Sequence, residues 1–130
     1  MTRSAISTSS APAALGPYSQ AIVAGDFVFC AGQGAIDPAT GDVLKGTIES
    51  ETTRTLQNVG AILDAAGATY ADVVKTTVFL ADIDDFAAMN AIYATYFPDP
   101  PPARSTVEVA ALPKGFKVEI EVVAYRPRSV

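Results

Sequence analysis

The stretch from Pro102 to Tyr125, PARSTVEVAALPKGFKVEIEVVAY, gathers one arginine and three glutamates in a pattern that could do chemistry. In its second half Phe116, Val118, Ile120, Val122 and Ala124 alternate with Lys117, Glu119, Glu121 and Tyr125. Successive side chains of a strand take opposite faces, so the alternation predicts a half-buried strand with an apolar inner side and a charged outer side. The first half predicts a shorter strand, with Val107 and Val109 inward and Arg104, Thr106 and Glu108 outward. Leu112-Pro113-Lys114-Gly115 between them favours a reversal, which makes the pair a β-hairpin. With the turn at Pro113 and Lys114, Glu108 falls opposite Glu119, and Glu121 lies two residues along. Like charges across a strand pair repel, unless they face a cation, a water or a ligand. Arg104, at the mouth of the hairpin, is the candidate counter-charge. The plain alternative is a solvated face whose charges point into water.

The chain has no histidine. That removes Ser-His-Asp and Cys-His nucleophile systems and the usual His-bearing zinc sites. Chemistry is left to carboxylates, arginine, tyrosine, hydroxyls, lysine, backbone groups and water. The lone Cys30 allows no internal disulfide and suits a reducing compartment. Nine basic residues against fourteen acidic ones give a net charge of −5, with no Lys/Arg cluster. Nucleic-acid binding rests on neutralising phosphates, so no nucleic-acid partner is expected. The first residues, MTRSAISTSS, lack the apolar core of a signal peptide. No apolar run approaches the length that crosses a bilayer. The expectation is a soluble cytoplasmic protein with no membrane partner.

The elements that must position these residues are legible in outline. A chain of 130 residues fits a single domain, 1–130, with a real core. Residues 1–10 are small and polar, a loose N-terminal segment or a short edge strand. Ala11 to Tyr18, punctuated by Pro12, Gly16 and Pro17, reads as an ordered loop, and Tyr18 there as a packing residue with its hydroxyl at the surface, with a ligand contact as the alternative. Ser19–Ala24 and Phe27–Gln33 are β-favouring runs joined by Gly25-Asp26, a hairpin link. Gly32-Gln33-Gly34 lets the backbone approach something closely, but with no third glycine and no following helix it is not a nucleotide-binding fingerprint. From Ile48 to Ala66, Leu56, Val59, Leu63 and Ala66 mark one helical stripe, with Thr47 as its cap and Gly67 as its stop. Val73–Leu80 is β-rich. Asp82 to Asp85 offers caps for a second helix, Phe86 to about Phe97, on which Asn90 and Tyr93 share a face with Phe86 and Phe97. An asparagine on that apolar face needs hydrogen-bond partners. The order β-β-α-β-α-β-β predicts an α+β two-layer domain: one sheet of about six strands, both helices on one face. Hydrophobic residues make up 49% of the chain, which leaves the other face for a partner, a second subunit.

Several of these segments together resemble a known family. Gly16-Pro17-Tyr18-Ser19-Gln20, Gly32-Gln33, Asn58-Val59 with Ala65-Ala66-Gly67, Val74-Lys75-Thr76-Thr77-Val78, Asn90, Pro102-Ala103-Arg104-Ser105, Val107-Glu108-Val109, Leu112-Pro113 and Glu119-Ile120-Glu121 are similar to the motifs of the RidA/YjgF family, in order from about Ala11 to Arg126. The resemblance implies a chorismate-mutase-like fold with a mixed sheet and a homotrimer with active sites between subunits. It implies cofactor-free, metal-free hydrolysis of 2-aminoacrylate, 2-iminopropanoate and related imino acids to 2-keto acids and ammonia. By position the family's carboxylate-binding arginine falls on Arg104 and its water-positioning glutamate on Glu119. Tyr18, Gly32 and Asn90 match residues lining the same cleft. Thr106 stands where many deaminating members have Cys, and Ala31 where they have Ser. The Cys acts largely through its backbone carbonyl, a role Thr106 can keep, whereas Ala31 supplies no hydroxyl. These changes bear on substrate range and rate. Other classes stay open: a regulatory module gripping small carboxylates without turnover, a ribonuclease or translation inhibitor, and a chaperone-like holdase.

Overall fold

The computed structural model describes residues 2–127 of the chain. Eight principal elements follow one another: β1 (Arg3–Ile6), β2 (Ala21–Ala24), β3 (Phe27–Gln33), α1 (Ile48–Ala65), β4 (Val73–Leu80), α2 (Phe86–Tyr93), β5 (Ala103–Glu108) and β6 (Val118–Tyr125). The described residues form one six-stranded sheet in the order β1-β2-β3-β6-β4-β5. It is mixed: β4 and β5 run parallel, and every other neighbour pair is antiparallel. Both α-helices lie on one face, where α1 and α2 touch each other and α1 covers β3 and β6. This is the expected α+β two-layer architecture.

Local chemistry explains the elements. Thr47 caps α1 by accepting the Ser50 N–H, and Glu49 and Glu51 sit at the positive end of the helix dipole. Leu56, Val59, Ile62, Leu63 and Ala66 are all buried, so the stripe faces the sheet. Gly67 ends the helix at φ +76°, a left-handed conformation that favours glycine. β2 and β3 form the expected hairpin, with Ala24 opposite Phe27 across Gly25-Asp26. Of the two alternatives for the first ten residues, an edge strand forms: Arg3–Ile6 pairs with β2. The second helix is shorter than expected. Asp82 caps a 3-10 turn, Ile83–Asp85, ahead of α2, and the helix ends at Tyr93, with Ala94 to Tyr96 continuing as turns.

The expected hairpin between β5 and β6 does not form. β4 lies between them, with Phe79 in register with Val107 on one side and Glu119 on the other. The chain after β4 crosses through α2 and returns as a parallel strand, the arrangement a helical crossover allows. The Leu112–Gly115 segment then carries it over the end of β4, where the Val109 N–H donates to the Leu80 carbonyl and the Ala81 N–H to that of Lys117. Glu108 therefore does not oppose Glu119; it accepts the Ile83 N–H at 2.8 Å instead. The facing of β5 is also the reverse of the expected one. Arg104 and Thr106 are in register with the buried Thr76 and Val78 and so point to the helix side, while Val107 is exposed. In β6 the prediction holds, since Val118, Ile120, Val122 and Ala124 are all buried.

Candidate active site

Arg104 sits on edge strand β5, with α2 supplying what it touches. Its Cζ lies 4.8 Å from the Tyr93 ring centroid and 5.4 Å from that of Phe86, close enough for cation–π attraction. No carboxylate pairs with it; the ion pair among the described residues joins Lys117 to Glu51. Arg104, Asn90, Tyr93, Phe97, Asp99 and Pro102 line a cleft of about 620 Å³. The buried Oδ1 of Asn90 and Oγ1 of Thr106 have no hydrogen-bond partner among the described residues. A guanidinium without an acidic partner among the described residues, in a cleft lined by aromatic rings and by Asn90, can receive an anion.

Glu119 lies elsewhere. Its register partner Phe79 and its neighbour Ile120, which is buried on the helix side, place Glu119 on the open face of the sheet. It lines a second cleft, of about 790 Å³, with Tyr18, Ala31, Gly32, Phe116 and Lys114. Burial raises the Glu119 pKa above the ordinary carboxylate value, and the negative charge of Glu121 adds to the rise. Gly32 makes room for it, because a Cβ at that position would overlap the Glu119 carboxylate. An extra residue in β3 between Cys30 and Gln33, a β-bulge, brings Ala31 and Gly32 to this spot. The wall nearby is equally close: a Cβ on Gly34 would run into the Phe116 ring.

Three buried polar side chains lash the surrounding loops. Gln20 donates to the carbonyls of Thr8, Ala11 and Pro12 and accepts the Thr8 N–H, which fixes the loop that carries Tyr18. Asn58 donates to the carbonyls of Gly34 and Ile36, its amide oriented by Arg54. Glu51, 1% exposed, accepts the backbone N–H groups of Gly46 and Lys117, two residues before Glu119. Each satisfies backbone groups that would be costly to leave unpaired.

The structure thus divides the expected residues. Arg104, Asn90 and Thr106 belong to the helix side of the sheet. Tyr18, Ala31, Gly32 and Glu119 belong to the second cleft, and Tyr18 is exposed there. Sequence reasoning missed Thr76 and Phe116 as site neighbours and gave Tyr93 no role. The available signals were a threonine inside a β run and a tyrosine one helical turn from Asn90. Cys30 is buried with its thiol pushed up to about 12, so it stays protonated and is a poor nucleophile. Among the described residues no three His, Cys, Asp or Glu side chains gather in a metal-holding group, and no helix is long and apolar enough to cross a membrane.

The endoribonuclease L-PSP family model matches residues 8–126. The "Reactive Intermediate Deaminase A, chloroplastic" of Arabidopsis thaliana is 55% identical over 119 residues, covering 92% of this chain and 64% of that protein. The 2-iminobutanoate/2-iminopropanoate deaminase of Rattus norvegicus is 50% identical over 122 residues, covering 94% and 89%. The solved structure of the YjgF gene product of E. coli superposes with a TM-score of 0.90 at 45% identity, over 95% of this chain and 98% of that one. The chain belongs to the endoribonuclease L-PSP family, the group also known as RidA/YjgF.

Proposed function

We propose that the protein is an imine deaminase that hydrolyses 2-iminopropanoate, its enamine tautomer 2-aminoacrylate, and 2-iminobutanoate to 2-keto acids and ammonia. The observation that carries this reading is Arg104, a guanidinium held over aromatic rings with no acidic partner among the described residues. It is a receptor for the carboxylate that every such substrate bears. The names of relatives near 50% identity point to the same substrates.

In the mechanism the substrate carboxylate takes two N–H donors of Arg104, which fixes the C=N carbon. Glu119, ionised, accepts a hydrogen bond from a water and takes its proton as the oxygen attacks that carbon. The C–O bond forms, the C=N π bond becomes a lone pair, and Glu119 returns the proton to nitrogen. Glu119 then takes the hydroxyl proton of the carbinolamine and passes it to nitrogen as the C–N bond breaks, so that ammonia leaves and the C=O of the keto acid forms. One water is consumed and no oxidant or cofactor is called for. The raised pKa of Glu119 suits a group that must both take and give a proton.

Arg104 and Glu119 occupy opposite faces of one sheet, so the working site combines the Arg104 side of one subunit with the Glu119 cleft of another. The open face favours such assembly: Phe27, Phe29 and Tyr125 form an exposed aromatic cluster there, the Phe27 ring centroid lying 6.3 Å from that of Phe29 and 5.3 Å from that of Tyr125. A homotrimer closes three such seams.

The test is a coupled assay in which serine dehydratase releases 2-aminoacrylate and loss of imine is followed. Arg104→Ala abolishes acceleration while the fold is kept. Glu119→Gln still binds keto acid but slows turnover by about 10²- to 10⁴-fold. Normal turnover in either folded variant refutes the corresponding role. A second reading, carboxylate binding without turnover, draws on Ala31, which brings no hydroxyl to the Glu119 cleft. Keto-acid binding in calorimetry with no acceleration of imine loss would select it.

A further inference from the structure

We propose that Tyr93 is a positioning residue for Arg104 and that Thr76 holds it in that position; the inference rests on Arg104 being the carboxylate grip. Three elements close a triangle. Thr76 on β4 is the register neighbour of Arg104 on β5. The Thr76 and Tyr93 hydroxyls are hydrogen-bonded at 2.7 Å in a buried setting. The Tyr93 ring returns across α2 to lie under the Arg104 guanidinium.

Each side of the triangle has a physical reason. Thr76 is fully buried in a strand whose other inward residues are apolar, and its hydroxyl has Tyr93 as partner. A buried hydroxyl without a partner is costly, so the pair fixes both side chains. Tyr93 is further braced by Phe97, whose ring centroid is 4.5 Å away. A long arginine side chain otherwise samples many rotamers. A ring locked from behind removes that freedom and offers an attractive face to the cation. With no carboxylate partner, the N–H donors of Arg104 remain available to a ligand. An acidic residue in place of the ring would also have oriented the guanidinium, but it would compete with the substrate for the same donors. An aromatic support does not.

The probe is 2-oxobutanoate, titrated calorimetrically into the assembled protein and followed by steady-state turnover of 2-aminoacrylate. Tyr93→Leu is expected to weaken 2-oxobutanoate roughly tenfold, the size of a desolvated cation–π contact, and to raise KM more than it lowers kcat. Tyr93→Phe restores most of that loss by restoring the ring. Thr76→Val and Tyr93→Phe each weaken binding modestly, and together no more than either alone, because both delete one bond. A merely structural Tyr93 would lower the Tm and leave the dissociation constant unmoved. Arg104→Ala in the same titration separates the two levels of the argument. If it abolishes binding while Tyr93→Leu leaves binding unchanged, the positioning role is overturned and the Arg104 reading stands. If Arg104→Ala binds as tightly as wild type, both fall. Should Tyr93→Leu not fold, Tyr93→Met takes its place in the titration: wild-type affinity there overturns the positioning role, and wild-type affinity in both Tyr93→Phe and Thr76→Val overturns the part given to Thr76.

Discussion

Gly32→Ala tests whether the position of Glu119, and not only its presence, makes it the base. A Cβ at residue 32 would overlap the Glu119 carboxylate oxygen and come within 2.9 Å of Cδ and 3.1 Å of Cγ. All three are side-chain atoms, so the clash is relieved by turning Glu119 rather than by moving a strand. Gly32 is not among the residues in the left-handed region, so alanine brings no backbone strain. The unfolded chain loses freedom on Gly→Ala, which stabilises by roughly 0.4–1 kcal/mol, and an off-rotamer Glu119 costs about 0.5–1.5 kcal/mol. The two nearly cancel, and the expected Tm change is only a few degrees. Catalysis is hit harder, because a carboxylate misplaced by about 1 Å costs roughly 10²-fold, or about 2.7 kcal/mol of barrier. The assay follows 2-aminoacrylate released in situ, alongside thermal melting and 2-oxobutanoate titration. The expected outcome is a kcat/KM about 10²-fold down, a melting curve near wild type, and keto-acid affinity unchanged, because the Arg104 cleft is untouched. The double variant Gly32→Ala/Glu119→Gln should be no slower than Glu119→Gln alone, since both disable one group. A folded Gly32→Ala protein that turns over within about threefold of wild type, below half a decade of rate, would refute the argument.

Two further perturbations address electrostatics and assembly. Glu119 is held above the ordinary carboxylate value first by burial and second by the charge of Glu121; Glu121→Gln removes a repulsion of the charged form, so the acid limb of the kcat/KM profile should move to lower pH, and a limb that stays or rises would exclude that coupling. Phe29, 47% exposed beside Phe27 and Tyr125, should lie in the seam between subunits; Phe29→Asp is expected to dissociate the oligomer in light scattering and remove turnover with it, and an intact, active oligomer would place that cluster outside the seam.

What the sequence made legible follows from what local chemistry encodes. β3 and β4 run over the segments expected, Phe27–Gln33 and Val73–Leu80, because turn residues bound each apolar run. Thr47 and Gly67 mark the ends of α1 because a cap and a left-handed glycine are local demands. Neighbour choice is not local. Alternation in Glu119–Tyr125 reveals two faces but says nothing about which strand lies alongside, so nothing in it puts β4 between β5 and β6. The facing of β5 departs from the alternation for a related reason. Arg104 scores as polar, yet its guanidinium rests on the rings of Tyr93 and Phe86, while Val107 scores as apolar and lies on the open face. A long amphipathic side chain over a cleft inverts the simple pattern. The closeness of Gly32 to Glu119 had only the Gly-Gln-Gly signal, which promised a close approach without naming what approaches.

If Arg104 and Glu119 serve one reaction, their placement on opposite faces of the sheet makes activity depend on assembly. Within one chain the backbone of β4 and β6 stands between Arg104 and Glu119, so no small imino acid can touch both through it. Each half is nevertheless complete as a piece: Arg104 rests on Tyr93 tied to Thr76, and Glu119 is seated on Gly32 with its loops fastened by Gln20, Asn58 and Glu51. These fastenings lie within one chain, so dissociation of a shared-site oligomer would disturb neither half and would still separate them. Substitutions in the open face far from both residues would then act as catalytic defects, lowering turnover in step with the oligomer. Keto-acid affinity would fall less, because the grip on the carboxylate belongs to one chain. Binding and turnover respond differently to dilution in such a protein, and that difference distinguishes a shared site from one built within a single subunit.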